Sequence, residues 1–193
     1  MRLRLTTATS IAFLATASFA LPAGASADSC GPSADVPPTA SQPTEQRAAV
    51  VCLINQIRTS KHLRPLVSEV QLTSITQRYS NRLVVGGFFA HVDAVDHSTI
   101  ESRGRQYTAG AWIWGLGENL AWATGYKSSP RQTLAMWMAS PGHRENLLDP
   151  QWRHVGVGIA AGTPVGAVGA TYATEFGMKA LKPKPRRRQR RHR

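Results

Sequence analysis

Apolar residues recur at helical spacing in two stretches of the first half of the chain. The first stretch starts at Thr44, a favourable N-cap, and its apolar positions are Val50, Val51, Leu53, Ile54 and Ile57. The second starts at Ser68, with Gln71 as its capping-box partner, and ends at Gly86 and Gly87. Its apolar positions are Leu72, Ile75, Tyr79, Leu83 and Val84. These patterns predict two helices, each with one buried face.

Serine and proline mark the helix starts of the second half. Ser129-Pro130 and Ser140-Pro141 each place an N-cap before a proline at the first helical position, and Ser98 with Glu101 predicts a short helical piece. The stretch GAWIWGLGENLAWATG lacks a helical period, so we predict a loop and then a strand over 118–123. Two further strands surround residues 162–166 as a hairpin. This order predicts an α+β fold, with an antiparallel sheet covered by helices.

The two ends of the chain differ from its middle. A short basic start, an apolar stretch and a small-residue cleavage site predict a secretory signal peptide over residues 1–27. Residues 28–43 are predicted to be an irregular arm, 44–178 the folded domain and 179–193 a disordered basic tail. The net charge is +12, yet nine Lys or Arg lie in 179–193, so the domain itself is nearly neutral.

Export and charge limit the partners that we expect. A cationic tail favours polyanions, and outside a cell these are wall polymers or anionic lipid head groups; a solvating tail without a partner is the alternative. Export argues against nucleic acid as a partner, and we expect a monomer. Cys30 and Cys52 are the two cysteines of the chain, so an oxidising compartment predicts one disulfide between them. Free thiols at both positions are the alternative.

Three residues are candidates for chemistry: His91 in FFAH, Glu118 in GEN and His143 in SPGHR. Glu118 lies inside an apolar, aromatic stretch, where a glutamate is seldom placed without a partner. His143 lies at a predicted helix start, where the helix dipole favours the neutral imidazole that a metal ligand or a general base requires. Their wide spacing does not by itself place them together.

The blocks FFAH, GENLAW, WMASPGHRENLL and VGVGI, in this order, resemble the signature blocks of the CAP superfamily, which comprises the cysteine-rich secretory proteins, antigen 5 and the pathogenesis-related proteins. The chain is similar to the small exported bacterial members. The resemblance implies an α-β-α sandwich with a central antiparallel sheet. It also implies a cleft with His91, Glu118 and His143. Eukaryotic members carry a second acid three residues after the helix tryptophan, and here that position is Ser140, for which we favour an N-cap role.

The resemblance and the residues together leave several functions open. His91, His143 and Glu118 could hold Zn²⁺ or another divalent metal, or the three could form a structural polar cluster. We therefore predict a secreted or envelope-associated module that binds a metal or an unidentified small ligand in its cleft. A metal-assisted hydrolase acting on peptide or wall material is one alternative, although a zinc hydrolase needs one group more than this set supplies. Lipid or sterol binding is the other.

Some residues have a simpler interpretation. Trp112, Trp114 and Trp122 could line a groove for sugar or lipid, although core and turn packing is the more common use of such aromatics. His97 beside Asp96 is predicted to lie in a solvated turn, and His154 to face water at the start of a strand. Asn119 is predicted to bond the loop backbone. None of these residues is assigned a chemical role.

Overall fold

The computed structural model describes residues 30–39 and 43–182. Its elements, in chain order, are a 3-10 turn Pro32–Ala34, α1 Pro43–Ser60, β1 Val67–Ser68, α2 Val70–Gly86, α3 Ile100–Arg103, α4 Arg105–Thr108, β2 Ala111–Thr124, a 3-10 turn Gly125–Ser128, α5 Pro130–Ala139, α6 Pro141–Leu148, β3 His154–Ala161 and β4 Gly169–Leu181. Within these ranges, no helix has both the length and the apolar character of a membrane span. The predicted signal peptide lies outside the described residues.

The four strands form a single sheet in the order β1-β3-β4-β2. The predicted hairpin is present as the antiparallel pair of β3 and β4, and β2 pairs antiparallel with the other side of β4. At the opposite edge, β1 adds a two-residue parallel pair to β3. The main part of the sheet is therefore antiparallel, and β2 is one of its edge strands.

Helices cover both faces of this sheet because successive residues of a strand face opposite sides. On one face, Tyr172 and Phe176 of β4 join a core that includes Trp137 of α5. On the other face, Ala173 of β4 packs with Tyr79 of α2. The result is an α-β-α sandwich, which confirms the fold class predicted from the sequence.

The VGVG block brings β3 into direct contact with the backbone of α2. A Cβ atom added to Gly156 would lie 2.2 Å from the carbonyl carbon of Leu72, and one added to Gly158 would lie 2.2 Å from that of Thr76. Such distances are far below van der Waals contact. The two glycines are therefore required by the close approach of helix and strand.

Three predicted helix caps differ from the structure. α1 begins at Pro43, so Thr44 lies inside this helix and is not its N-cap. The N-cap of α2 is Glu69, whose carboxylate accepts a hydrogen bond from the backbone N–H of Gln71, while Ser68 belongs to β1. The capping box of α3 is formed by Thr99 and Ser102, one position beyond the predicted pair. At the starts of α2 and α3, two adjacent residues can act as the cap, and the geometry of the preceding segment decides between them.

Two strands are longer than predicted. β2 starts at Ala111, so residues 111–117, which we predicted as a loop, are strand. β4 continues to Leu181, so residues 179–181, predicted as the start of the tail, are strand as well. These extensions pair with each other. The remainder of the predicted tail, from residue 183, lies outside the described residues.

A disulfide joins Cys30 to Cys52, with the two Cα atoms 5.6 Å apart. It confirms the pairing predicted from the sequence. The bond attaches the segment before α1, including its 3-10 turn, to the third turn of that helix, and thereby holds this segment against the core on the α1 side of the sheet.

Candidate functional site

Glu118 lies in the middle of β2, and its side chain is only 3 % exposed. Its Oε1 accepts a hydrogen bond from Nδ1 of His91 at 2.8 Å, and its Oε2 accepts one from Nη2 of Arg103 at 2.7 Å. Because a carboxylate can only accept, the proton in the first bond belongs to Nδ1 of His91. Both carboxylate oxygens of Glu118 are therefore engaged by other side chains of the protein.

His91 lies in the loop that follows α2, and this loop is anchored at its backbone. The Tyr79 hydroxyl donates to the carbonyl oxygen of Ala90 at 2.6 Å, and Nη1 of Arg103 donates to that of His91 at 3.1 Å. The side chain of His91 remains 59 % exposed. Its hydrogen bond to Glu118 raises the pKa of His91, against the opposing effect of partial burial. The ring is thus oriented from within the protein while it stays open to solvent.

Arg103 links the His91 loop to the sheet, and sequence analysis missed it. Its guanidinium carbon lies 3.5 Å from the centre of the Tyr79 ring, and its Nη1 also donates to the carbonyl oxygen of Ser98 at 2.9 Å. Together with the bond to Glu118, these contacts leave the side chain 10 % exposed. An arginine in a short helix carries no motif of its own, so only the three-dimensional arrangement reveals this role.

Glu175 is the second buried acid of the site, and it was missed as well. It pairs with Glu118 across β4 and β2 and is fully buried. Burial, and secondly the charge of Glu118, raise the pKa of Glu175 to about 8. Nε of Arg103 is 4.0 Å away, which is too far for a hydrogen bond, so we describe Glu175 as a neutral acid at neutral pH. A glutamate inside the apolar strand YATEF is the same signal that identified Glu118.

His143 lies in the first turn of α6, whose N-cap is Ser140 as predicted, although the serine side chain makes no capping bond. The imidazole is partly buried. The pKa of His143 is lowered, which is the predicted direction, but burial is the main cause and the positive charge of His91 is the second. The charge of His91 thus disfavours the protonated form of His143.

Asparagine side chains attach α6 to β2. Asn119 donates from Nδ2 to the carbonyl oxygen of His143 at 3.0 Å, so it bonds helix backbone rather than loop backbone. Asn146 donates to Oδ1 of Asn119 at 2.9 Å and to the carbonyl oxygen of Glu118 at 3.1 Å. Since Glu118 and Asn119 face opposite sides of the sheet, the His91 loop and α6 approach the edge strand β2 from its two faces.

The predicted metal ligands were His91, His143 and Glu118. Among the residues that the structure describes, no three His, Cys, Asp or Glu side chains are grouped so as to hold a metal ion. Glu118 fits a ligand role poorly, because one of its oxygens bonds a guanidinium and the other bonds His91. The donors that fit a divalent ion are the two imidazoles, and the three-ligand site stays a prediction.

Two further histidines and two of the tryptophans lie away from this cluster. His154 does not simply face water, because its Nδ1 forms a 2.7 Å hydrogen bond with the hydroxyl of the buried Tyr107. His97 is exposed in a turn, as predicted, and its φ is positive, at 57°. Trp112 and Trp114 are exposed rather than packed in the core. None of these four side chains contributes to the His91 and Glu118 cluster.

The sequence model of the cysteine-rich secretory protein family, CAP, matches residues 51–174. The chain belongs to this family. The Bacillus subtilis (strain 168) protein YkwD is 32 % identical to it over 112 residues, which are 56 % of this chain and 40 % of YkwD. The matched part of this chain thus spans less than half the length of that relative.

Solved structures show the same fold as this CAP domain. An extracellular protein containing a SCP domain from Bacillus anthracis str. Ames superposes with a TM-score of 0.58 at 24 % identity, over 72 % of this chain and 44 % of that protein. An outer surface protein from Borrelia burgdorferi superposes with a TM-score of 0.60 at 18 % identity, over 71 % of this chain and 95 % of that one. At these identities the likeness establishes the fold alone.

Proposed function

We propose that this chain is an exported CAP-domain binding module that takes a divalent metal ion, or a small ligand in its place, through His91 and His143. The observation that carries the proposal is the 2.8 Å bond between Nδ1 of His91 and Glu118. A carboxylate that holds one nitrogen of an imidazole fixes the ring and leaves the other nitrogen, Nε2, for a ligand. The 59 % exposure of the His91 side chain gives a ligand access to it.

His143 is the proposed second donor. It belongs to a helix that Asn119 and Asn146 fasten to the strand carrying Glu118, so the position of α6 relative to β2 is fixed. Imidazole nitrogens suit Zn²⁺ and the neighbouring divalent transition metals, and water or a bound molecule would complete the coordination. In this arrangement Glu118 and Arg103 are positioning residues behind the ligands.

Export is supported by three independent features. The first 27 residues have the pattern of a secretory signal peptide. The Cys30–Cys52 disulfide is typical of proteins from oxidising compartments. In addition, two solved structures of this fold are described as an extracellular protein and an outer surface protein. We therefore propose action outside the cell or at its envelope.

A metal-assisted hydrolase is less well supported by the same geometry. Such an enzyme normally has three protein ligands and a separate general base. Glu118 would have to supply one of these groups, but both its oxygens are engaged by His91 and Arg103. Glu175 is buried behind the strand and does not reach solvent. The cleft is consequently proposed as a binding site and not as an active site.

Zinc titration followed by thermal unfolding tests the proposal. At 100 times the dissociation constant, a metal that binds the folded state alone adds about 2.7 kcal/mol of stability. We expect this increase in the unmodified chain, its loss in His91→Ala and in His143→Ala, and a roughly 10- to 100-fold weaker affinity in Glu118→Gln. His97→Ala is the matched control, because His97 lies in an exposed turn. No increase at all, or an equal increase in all variants, would contradict the proposal.

A further inference from the structure

The paired ends of β2 and β4 extend beyond the rest of the sheet. β3 pairs with residues 170–177 of β4, whereas residues 178–181 of β4 pair only with the beginning of β2. The register pairs Ala111 with Leu181 and Trp114 with Lys179, with a bulge at Trp112 between Ala111 and Ile113. Within residues 30–39 and 43–182, the end of the sheet is thus a two-stranded ribbon without a third strand beside it.

Large apolar side chains at the end of this ribbon are exposed to solvent. We call Trp112, Ile113, Trp114 and Leu181 the ribbon tip, and their exposed fractions are 63 %, 49 %, 45 % and 71 %. By contrast, Trp137 and Trp152 are 1 % and 8 % exposed, so the fold does bury tryptophan where it needs core volume. Clustered exposed aromatics of this kind mark a surface that meets an apolar partner.

The shape of the ribbon tip indicates what kind of partner it meets. Neighbouring residues of a strand face opposite sides, so Ile113 and Trp114 place apolar groups on both sides of the ribbon. A folded protein partner would cover one side and leave the other in water. The boundary region of a lipid bilayer can surround both sides, and tryptophan is the residue that prefers this region.

The charge of the sequence that follows Leu181 indicates the charge of the lipid head groups that the ribbon tip meets. From Lys182, directly after Leu181, to Arg193 the sequence contains eight Lys or Arg and no Asp or Glu. A polybasic segment next to a membrane surface is attracted to anionic lipid head groups. Lys179, at the base of the ribbon, is not counted among these charges. Its Nζ donates a hydrogen bond within the domain, to the carbonyl oxygen of Tyr107 at 2.8 Å.

We propose that the ribbon tip binds the surface of an anionic lipid bilayer. The tryptophans enter the head-group region, and the basic sequence that follows the tip favours anionic lipids. A single weak anchor gives marginal, reversible binding, and stable attachment takes two signals. This surface is separate from the His91 and Glu118 cluster, so its test is independent of the proposed cleft ligand.

Vesicle sedimentation tests this proposal with bilayers of phosphatidylglycerol and phosphatidylcholine, compared with phosphatidylcholine alone. Chains 1–193 and 28–193 are both measured, so that binding through the N-terminal apolar stretch is recognised. We expect binding to the anionic vesicles only. The double variant Trp112→Ser/Trp114→Ser should bind these vesicles about tenfold or more weakly, and removal of residues 183–193 should weaken binding to a similar extent. Val168→Ser is the control, because Val168 is 92 % exposed beside the start of β4, away from the ribbon.

Tryptophan fluorescence provides the second readout. We expect a blue shift of the emission on adding anionic vesicles, and its loss in the double tryptophan variant. Trp137 and Trp152 are buried, and Trp122 lies near the other end of β2, so none of these three should change environment. Binding that depends on the tail but is unaffected by the tryptophan substitutions would overturn the proposal. It would also be overturned by equal, tryptophan-independent binding to a soluble phosphate polymer, or by a ribbon-dependent dimer in sedimentation velocity without vesicle binding.

Discussion

Nδ1 of His91 lies 2.8 Å from Oε1 of Glu118, so a residue of an exposed loop is fixed by an acid that is almost fully buried. Arg103 holds the other oxygen of the same carboxylate and also the backbone of the His91 loop. The three side chains therefore form one connected unit. Removing any one of them changes the surroundings of the other two.

Glu118→Ala is expected to destabilise the protein strongly. The side chain of Arg103 is only 10 % exposed, and its guanidinium would lose its hydrogen-bonded carboxylate. Removing one partner of a buried ion pair costs about 3 kcal/mol or more. Urea denaturation measures this loss, and Glu145→Ala, on the exposed surface of α6, should stay within about 0.5 kcal/mol of the unmodified protein. Equal stability of both variants would contradict the connected unit.

The pKa values of the two cleft histidines should lie on opposite sides of the ordinary histidine value of 6.5. The hydrogen bond to Glu118 raises the pKa of His91, and burial lowers that of His143. NMR titration of the imidazole resonances should therefore give His91 the higher midpoint. The stability that His91 contributes is complete at low pH and is lost as the pH rises through its raised pKa.

Glu118→Gln serves as the test variant for this titration order. A neutral amide cannot stabilise the charged imidazole as a carboxylate does, so the pKa of His91 should fall in the variant while its partial burial persists. Identical midpoints for His91 in the two proteins would show that the bond to Glu118 does not control the titration of the loop.

Glu175→Gln is expected to change the pH dependence of stability. The pKa of Glu175 is about 8 in the folded protein, and its ordinary value is 4.5. The neutral form of this side chain therefore favours the folded state. Its contribution is complete below pH 4.5 and is lost as the pH rises through about 8. Denaturation curves above pH 8 should thus show the glutamine variant to be more stable than the unmodified protein.

The acid side of the stability profile provides the internal control for that variant. Asp93, hydrogen-bonded to Arg82, has its pKa lowered to about 2, so its contribution is present above pH 3.8 and is lost as the pH falls through about 2. Glu175→Gln should leave this acid limb unchanged. A parallel displacement of the whole profile would indicate a packing effect rather than a titration.

Gly158→Ala should destabilise the contact between α2 and β3. The added methyl group would meet the backbone of Thr76 at 2.2 Å, and backbone atoms within a helix cannot move aside easily. Overpacking of this kind costs about 1–3 kcal/mol. Gly142→Ala is the control, since an added Cβ there meets no atom within 4 Å outside its chain neighbours and the backbone of α6, and the substitution favours the helix. Equal denaturation midpoints for the two variants would contradict this account of the VGVG block.

The sequence was informative wherever the signal was local. Helices α5 and α6 were predicted from a serine followed by proline, and the β3–β4 hairpin from short apolar runs around glycines. Glu118 was found because a glutamate in an apolar stretch needs a partner. These features depend on neighbours within a few residues, so they can be read without knowledge of the fold.

The features that were missed depend on distant pairing. Residues 111–117 contain two tryptophans and two glycines without a helical period, a pattern that predicts a loop. They form a strand because β4, about 60 residues later, pairs with them. Arg103 joins the site for the same reason, since only folding brings α3 to Glu118. Glu175 did carry the local signal of a glutamate in an apolar strand, but its pairing with Glu118 follows only from the register of β2 and β4.

The Cys30–Cys52 bond closes a covalent ring of chain around the start of α1. A protease that cuts once between residues 30 and 43 would nick the polypeptide without shedding a fragment. The two pieces would migrate together on a gel until a reductant separates them. Outside the cell, where proteases are common and reductants are scarce, the domain would keep its N-terminal segment after such a cut.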